Sequence, residues 1–367
     1  MIKERYNKWF RHLTGNRNKI FGLRITKTWR CDSRCTTCSI WEIKYDSKKD
    51  LSVEDVDRFS RSKYLNSVEY ITISGGEPTL CDDLPDMISV LHRNIPAARF
   101  NITTNGMNPN RIEKQFEQIL NENPEIRFGS VGLSLNGPKE IHDSTRGIDG
   151  SFDKVLETYE RLKHLVPCRF SFTFCRENVD HFHWVQEFAK SKGTTAYICW
   201  TVMNERFQVS ERDLVFWDND VANMLTEFVS KLFRHRGALT GAFKNIIYQP
   251  EGIRKSYFFD HVLNKKVMPC YAGSQIVHID PVGNVYPCNF KLSEDRVLGN
   301  LKNEAFDAIW ENIPRNILHE IKCGECMYPN GLCGDSDIYP SVMNHPPAVA
   351  MWYAGKILKN KELIEIP

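Results

Sequence analysis

The stretch Phe21-Gly22-Leu23-Arg24-Ile25-Thr26 runs, after four residues, into Cys31-Asp32-Ser33-Arg34-Cys35-Thr36-Thr37-Cys38. An apolar run of this length reads as a buried strand. The three cysteines after it, spaced C-x3-C-x2-C, then sit on a loop at the strand's carboxyl end. Three thiolates on one short loop can hold three irons of a cubane cluster and leave the fourth iron open to a substrate or cofactor. A zinc knuckle also clusters its cysteines, so the triplet alone leaves both readings open.

Outward from the triplet, β-rich runs alternate with helical periodicity. Strand candidates fall at 23–28, 70–74, 99–104, 132–136, 169–175 and 196–202, with helices between them such as 84–93, 111–121 and 152–165. This alternation predicts parallel βα units with right-handed crossovers. Six units fall short of the eight of a closed barrel. The expected fold is therefore α/β, an open, partial (β/α)6 barrel, with a small cysteine-rich domain after it. Chemistry in such sheets gathers at the carboxyl ends of the strands.

Each further motif lies at such an end. Ser74-Gly75-Gly76-Glu77-Pro78 follows the second run, Thr103-Thr104-Asn105-Gly106 the third, and Ser134-Leu135-Asn136-Gly137-Pro138 the fourth. The last leads into His142-Asp143, Arg146-Gly147 and Gly150-Ser151-Phe152. Paired glycines permit close backbone approach to a ligand. With the cysteine triplet, these motifs resemble the signature of the radical S-adenosylmethionine (SAM) superfamily. The resemblance implies that a 4Fe-4S cluster on Cys31, Cys35 and Cys38 binds SAM and yields a 5′-deoxyadenosyl radical. It implies that Ser74, Gly75, Gly76, Glu77 and Pro78 hold the SAM amino group. By the same resemblance, Thr104 and Asn105 lie near the ribose and adenine, Ser134 contacts the ribose, and Arg146 meets the carboxylate. Two departures stand out. The aromatic residue that usually precedes the third cysteine, packing near the cluster without ligating it, is Thr37, with Trp41 following. Asn136 replaces the usual Asp.

A second cysteine set comprises Cys270, Cys288, Cys323, Cys326 and Cys333. Asp280-Pro281-Val282-Gly283-Asn284 reads as a tight hairpin turn that would deliver Cys288 to a metal. Its spacing is similar to the Twitch and SPASM extensions of the same superfamily. That implies one auxiliary 4Fe-4S cluster with one spare cysteine among Cys323, Cys326 and Cys333; structural zinc is the competing reading. The base that follows the hairpin cysteine in sulfatase-maturing relatives is Asn289 here, and a neutral amide cannot take that proton. Cys199, inside the sixth strand, is a candidate hydrogen donor to a substrate radical. Cys81, Cys168 and Cys175 read as small buried apolar residues, and His181 and His183 as helix-face residues.

The chain has 367 residues, 41% of them hydrophobic, and a net charge of +2. That balance excludes a global basic field for nucleic acid. Twelve cysteines in so long a chain do not make a disulfide scaffold, and no run is long and apolar enough to span a bilayer. A reducing cytoplasm is expected. The expected parts are a basic helix at 1–20, the barrel at 21–205, a bridge at 206–265, the auxiliary-cluster domain at 266–340 and a docking helix at 341–367. A flavodoxin- or ferredoxin-type electron donor is implied as partner. The triplet begins too early for a preceding winged-helix domain, which tilts the expected substrate toward a small polar, sugar-like metabolite. The basic amino terminus keeps a lipid-linked substrate and peripheral membrane contact open. The alternatives are a peptide-modifying maturase and, from another class, a non-catalytic iron-sulfur sensor or electron-transfer protein.

Overall fold

The structure is a computed structural model that describes residues 20–175, 177–200, 273, 276–288 and 296–313. The basic amino-terminal helix, the bridge, Cys270, Cys323, Cys326, Cys333 and the final docking helix lie outside the described residues. Those described fall in one compact unit, Gly15–Val215 with Tyr271–His319.

Six parallel strands stand in chain order: β1 (Gly22–Thr26), β2 (Tyr70–Ser74), β3 (Arg99–Thr104), β4 (Arg127–Ser134), β5 (Cys168–Phe174) and β6 (Ala196–Trp200). Helices connect them: α1 (Val53–Ser60), α2 (Leu84–Asn94), α3 (Pro109–Glu122), α4 (Lys139–Arg146), α5 (Ser151–Leu162) and α6 (Phe182–Ser191). Local chemistry starts several of these. Ser52 and Asp55 form a reciprocal capping box on α1. Pro109 stands in the first turn of α3 behind Asn108, whose side chain accepts from the Arg111 amide.

The strands alternate. In Cys-Arg-Phe-Ser-Phe-Thr-Phe of β5, Phe170 and Phe172 are fully buried on one face, while Arg169, Ser171 and Thr173 occupy the other. Parallel strands covered by apolar layers on both faces read as continuous apolar runs. Alternation here means that one face packs under the helices and the other lines a polar interior. Leu23, Ile71, Ile73, Phe100, Ile102, Val131 and Leu133 are all buried, each stabilising by roughly 1.5–3 kcal/mol.

Contacts across the polar face show how far the sheet curls. Tyr197 on β6 is hydrogen-bonded to Thr103 on β3 and Ser171 on β5. In a flat sheet β3 and β6 would stand about 14 Å apart. Arg24 on β1 acts electrostatically on Cys199 on β6, strands that would be about 24 Å apart if flat. The partial barrel bends these opposed strands toward one another.

The sheet continues past β1. β7 (Ile276–Ile279) pairs parallel with β1, matching Arg24 to His278, and β8 (Asn284–Tyr286) and β9 (Gly299–Asn300) follow antiparallel. Helix α7 (Phe306–Glu311) completes this part, with Phe306 against Phe59 of α1. The six strands expected from sequence are present. β4 starts earlier than its apolar pattern suggests, because Gly129, Ser130 and Gly132 carry little strand propensity. Its register is held instead by β3, which makes an irregular step at Phe100 and Asn101.

Candidate functional site

The loop after β1 is fastened by backbone on two sides. The Gly76 amide donates to Thr28 O at 2.7 Å and the Glu77 amide to Arg30 O at 2.8 Å. A Cβ on Gly76 would overlap the Arg30 carbonyl, so that glycine permits close approach to the cysteine loop itself. On the other side, the Arg34 amide donates to Arg146 O at 2.9 Å and the Thr36 amide to Thr145 O at 3.0 Å. Gly147 ends α4 with a φ of 65°, and a Cβ there would meet the Arg34 carbonyl.

Cys31, Cys35 and Cys38 are half-buried and carry no disulfide. Burial pushes the Cys31 thiol up to about 12, with Glu77 and Cys35 adding to the rise. Such a thiol ionises when a metal ion takes the proton's place. Arg146 Nη1 donates to Cys35 Sγ at 3.3 Å, and Arg146 Nε is buried with no partner. No three His, Cys, Asp or Glu side chains among the described residues converge to hold a single metal ion. The donor set suits a cubane, whose irons occupy separate corners, and the orphaned guanidinium nitrogen beside it suits an anionic ligand group.

Glu77 is buried and ties two strand ends together. Its carboxylate accepts from Thr79 Oγ1 at 2.7 Å, Thr104 Oγ1 at 2.9 Å and the Asn105 amide at 2.6 Å. Burial pushes its pKa up against these donors. Asn105 Nδ2 reaches back to Asp32 at 2.6 Å and Ser33 at 2.8 Å inside the cysteine loop. The Gly-Gly-Glu-Pro and Thr-Asn motifs thus act as one brace under the triplet.

The motif after β4 divides its labour. His142 Nδ1 accepts from the Asn136 amide at 3.0 Å, so its proton stands on Nε2. Burial, then nearby Arg146, pushes His142 down to about 3. Asp143 accepts from the Gly150 amide, Ser151 Oγ and the Phe152 amide, capping α5. Asn136 Oδ1 accepts from the Thr173 amide at 3.3 Å, while Ser134 is buried at the strand end.

Below this rim, Ser171 Oγ lies 3.2 Å from Cys199 Sγ. Burial raises the Cys199 thiol; Ser171, Arg146 and Arg24 oppose that rise. Arg169 Nη2 donates to Ser130 Oγ at 2.6 Å, and its guanidinium lies 5.3 Å from the Tyr197 ring centroid. Arg169 Nε and Thr72 Oγ1 are buried without partners, leaving polar capacity on this face for a ligand.

At the sheet's far end the expected hairpin is present. Asp280 accepts from the Val282 and Asn284 amides at 3.0 and 2.8 Å, and Gly283 takes a φ of 92°. Cys288 follows β8 and is half-buried.

The profile of the Radical SAM superfamily matches residues 25–189, and that of the SPASM iron-sulfur cluster-binding domain matches residues 270–327. The chain is a radical SAM enzyme that carries a SPASM domain. Its cofactors are a 4Fe-4S cluster, SAM and auxiliary iron-sulfur. This radical SAM enzyme is 25% identical over 330 residues to the mycofactocin maturase MftC of Mycobacterium ulcerans (strain Agy99), spanning 85% of this chain and 81% of that one. It is 23% identical to the AdoMet-dependent heme synthase of Methanosarcina barkeri (strain Fusaro / DSM 804), over 83% and 87% of the two chains. Its fold is similar to that of Streptococcus suis SuiB bound to precursor peptide SuiA, with a TM-score of 0.60, 17% identity and coverage of 87% and 70%.

Sequence reasoning missed a group behind the cysteine loop. Tyr45 OH accepts from the Trp29 amide at 2.8 Å, donates to Asp50 at 3.3 Å and contacts Thr28 Oγ1. Burial raises Asp50 to about 6. No local motif marks these residues; only their convergence does.

Proposed function

We propose that this radical SAM enzyme is a peptide-modifying maturase acting on a ribosomally made precursor. The observation that carries the reading is the similarity to a mycofactocin maturase across most of both chains. It favours a peptide over the sugar-like or lipid-linked substrate expected from sequence. The polar inner face also supports it. Arg24, Thr72, Arg169 and Tyr197 can meet peptide amides and carboxylates, and Arg169 Nε and Thr72 Oγ1 are donors without partners.

In this reading Cys31, Cys35 and Cys38 hold the SAM-binding cluster, and Cys288 joins Cys270, Cys323, Cys326 or Cys333 around the auxiliary one. With SAM bound, that cluster would supply the radical chemistry that removes hydrogen from a C–H bond of the peptide. Residues 74–78, Thr104, Asn105, Ser134 and Asn136 frame the SAM pocket. Arg146 offers its free Nε to the SAM carboxylate while its Nη1 faces Cys35. His142, held neutral, fixes the Asn136 backbone without adding charge. Cys199 stands on the inner face where a thiol could return a hydrogen atom. No helix among the described residues is long and apolar enough to cross a membrane, and cysteines used for metal fit a reducing cytoplasm.

The test incubates the anaerobically reconstituted enzyme with SAM, dithionite and a short peptide encoded beside its gene. A peptide mass change formed together with 5′-deoxyadenosine is expected. Turnover of a sugar, lipid or porphyrin with the peptide left unchanged overturns the reading.

A further inference from the structure

The six parallel strands contain four arginines, Arg24, Arg99, Arg127 and Arg169, and no aspartate or glutamate. Arg99 and Arg127 open their strands and are exposed. Arg24 and Arg169 stand at inward positions, Arg24 buried and Arg169 half-buried. The charge that the strands bring to the inner face is therefore all positive.

Arg169 differs from the arginines of the helical layer. There Arg58, Arg61, Arg93, Arg111 and Arg161 each pair with a carboxylate. Among the described residues Arg169 meets no carboxylate. Its Nη2 donates to Ser130 Oγ at 2.6 Å, and its Nε is buried without a partner. Its guanidinium lies 5.3 Å from the Tyr197 ring centroid. That ring is itself built into place. Its hydroxyl bonds to Thr103 and Ser171, and a Cβ on Gly132 would overlap that hydroxyl. The missing side chain of Gly132 is what lets Tyr197 lie across β4. A planar cation is thus held by a hydroxyl and an aromatic ring, with a buried N–H to spare. A neutral hydroxyl replaces little of the hydration that such a group gives up. A carboxylate replaces it through paired, charge-assisted hydrogen bonds.

The position is also informative. Arg169 is the second residue of β5, level with Gly132 of β4, near the strand end opposite the cysteine loop. Contacts lead from it toward that loop. Tyr197 meets Ser171, Ser171 meets Cys199, and Arg146, which donates to Cys35, acts on Cys199.

We infer that Arg169, seated against Tyr197 and Ser130, is a subsite for a carboxylate of the substrate, anchoring it deep on the inner face with the rest of the molecule toward the cysteine loop. The inference rests on the peptide reading for its ligand, an acidic side chain or the C-terminus of the precursor. Arg146 is the arginine that this reading gives to SAM, which leaves Arg169 for the substrate.

The test uses the full reconstituted chain with SAM, as wild type, Arg169→Gln and Arg169→Lys. Calorimetry with glutarate, against uncharged glutaramide, reads the subsite without any peptide. Glutarate is expected to bind Arg169→Gln about tenfold more weakly than wild type. Arg169→Lys should recover part of that loss, because it keeps the charge and loses the fork. SAM affinity should stay unchanged in both. Kinetics then compare the encoded peptide with one whose acidic side chains are amides and one with a C-terminal amide. The peptide that lacks the anchoring carboxylate should raise KM about tenfold for wild type and leave that of Arg169→Gln unaltered. Which of the two does so names the source of the carboxylate. Equal glutarate affinity in wild type and Arg169→Gln overturns the inference. So does a fall in SAM affinity, which would give Arg169 to the SAM carboxylate. Peptide and protein losses that simply add, or a wild type indifferent to both amide peptides, overturn it as well. Inorganic phosphate binding more tightly than glutarate would assign the subsite to a phosphorylated ligand instead. Failure of the peptide reading shows separately, as every peptide left unchanged while glutarate affinity still depends on Arg169.

Discussion

The two faces of the same six strands have opposite characters. Outward, Leu23, Ile71, Phe100, Val131 and Phe170 are wholly buried under the helices. Inward, Arg169 meets Ser130 and Tyr197, Tyr197 meets Thr103 and Ser171, and Ser171 meets Cys199, with Arg24 acting on Cys199 across the curled sheet. The period of two that builds a strand thus separates stability from chemistry residue by residue. Substitutions one position apart should therefore fail in different ways.

The largest contrast comes from the mouth of the barrel. Replacing Cys31, Cys35 and Cys38 by Ala should abolish 5′-deoxyadenosine formation. Iron after reconstitution should fall from about eight to about four per chain, while thermal unfolding of the metal-free protein stays nearly unchanged. A wild type that takes up only about four irons, all lost in the variant, would remove the auxiliary cluster from the mechanism.

On the outer face, Phe100→Ala should cost about 3–5 kcal/mol in denaturant unfolding by opening a cavity in the packed layer. The activity of the fraction that remains folded should be kept. A loss of activity without a loss of stability would break the division between the faces.

His142 tests the seam between them. Its folded pKa lies at about 3, below the 6.5 of the free side chain. The folded state therefore holds fewer protons than the unfolded chain in between. The stability it contributes is fully present above about pH 6.5 and is lost as pH falls toward 3. His142→Leu should flatten that acid limb of the unfolding curve. It should also cost roughly 1–3 kcal/mol at neutral pH by orphaning the Asn136 amide.

Arg169→Gln sharpens the inner side. With no carboxylate partner to strand, it should shift the unfolding midpoint little. It should lower kcat/KM for the peptide about tenfold, mainly through KM, which corresponds to about 1.4 kcal/mol of lost binding.

The smallest effect is expected at Asp50. Its pKa is raised from 3.8 to about 6 by burial, so its stabilising contribution is present below about pH 3.8 and lost as pH rises through 6. Asp50→Asn should remove this modest decline in a melting series from pH 4 to 7. Retention of the decline would place its origin in another group.

Much of the site was legible because its signals are local. The cysteine triplet, Gly75-Gly76-Glu77-Pro78 and the Asp280–Asn284 turn each work through residues a few positions apart. The behaviour of Glu77 was less accessible. Sequence places it beside a ligand, whereas its oxygens join Thr79, Thr104 and Asn105. Tyr45 and Asp50 carried no signal, because a tyrosine in a loop acquires meaning only from the amides folded back against it.

Residue order alone specified the strand-helix alternation, the loops that carry the cysteines and the polar character of every second strand position. These follow from short-range sterics, periodicity and side-chain chemistry. The tertiary structure decided which distant residues meet. It brought β7 beside β1, setting His278 Nε2 3.2 Å from Thr26 Oγ1. It brought Tyr197 to Thr103, and it set Arg34 between Cys31 and Trp41. A strand edge presents the same amides and carbonyls whatever its sequence, so pairing and curvature emerge only when the whole chain packs.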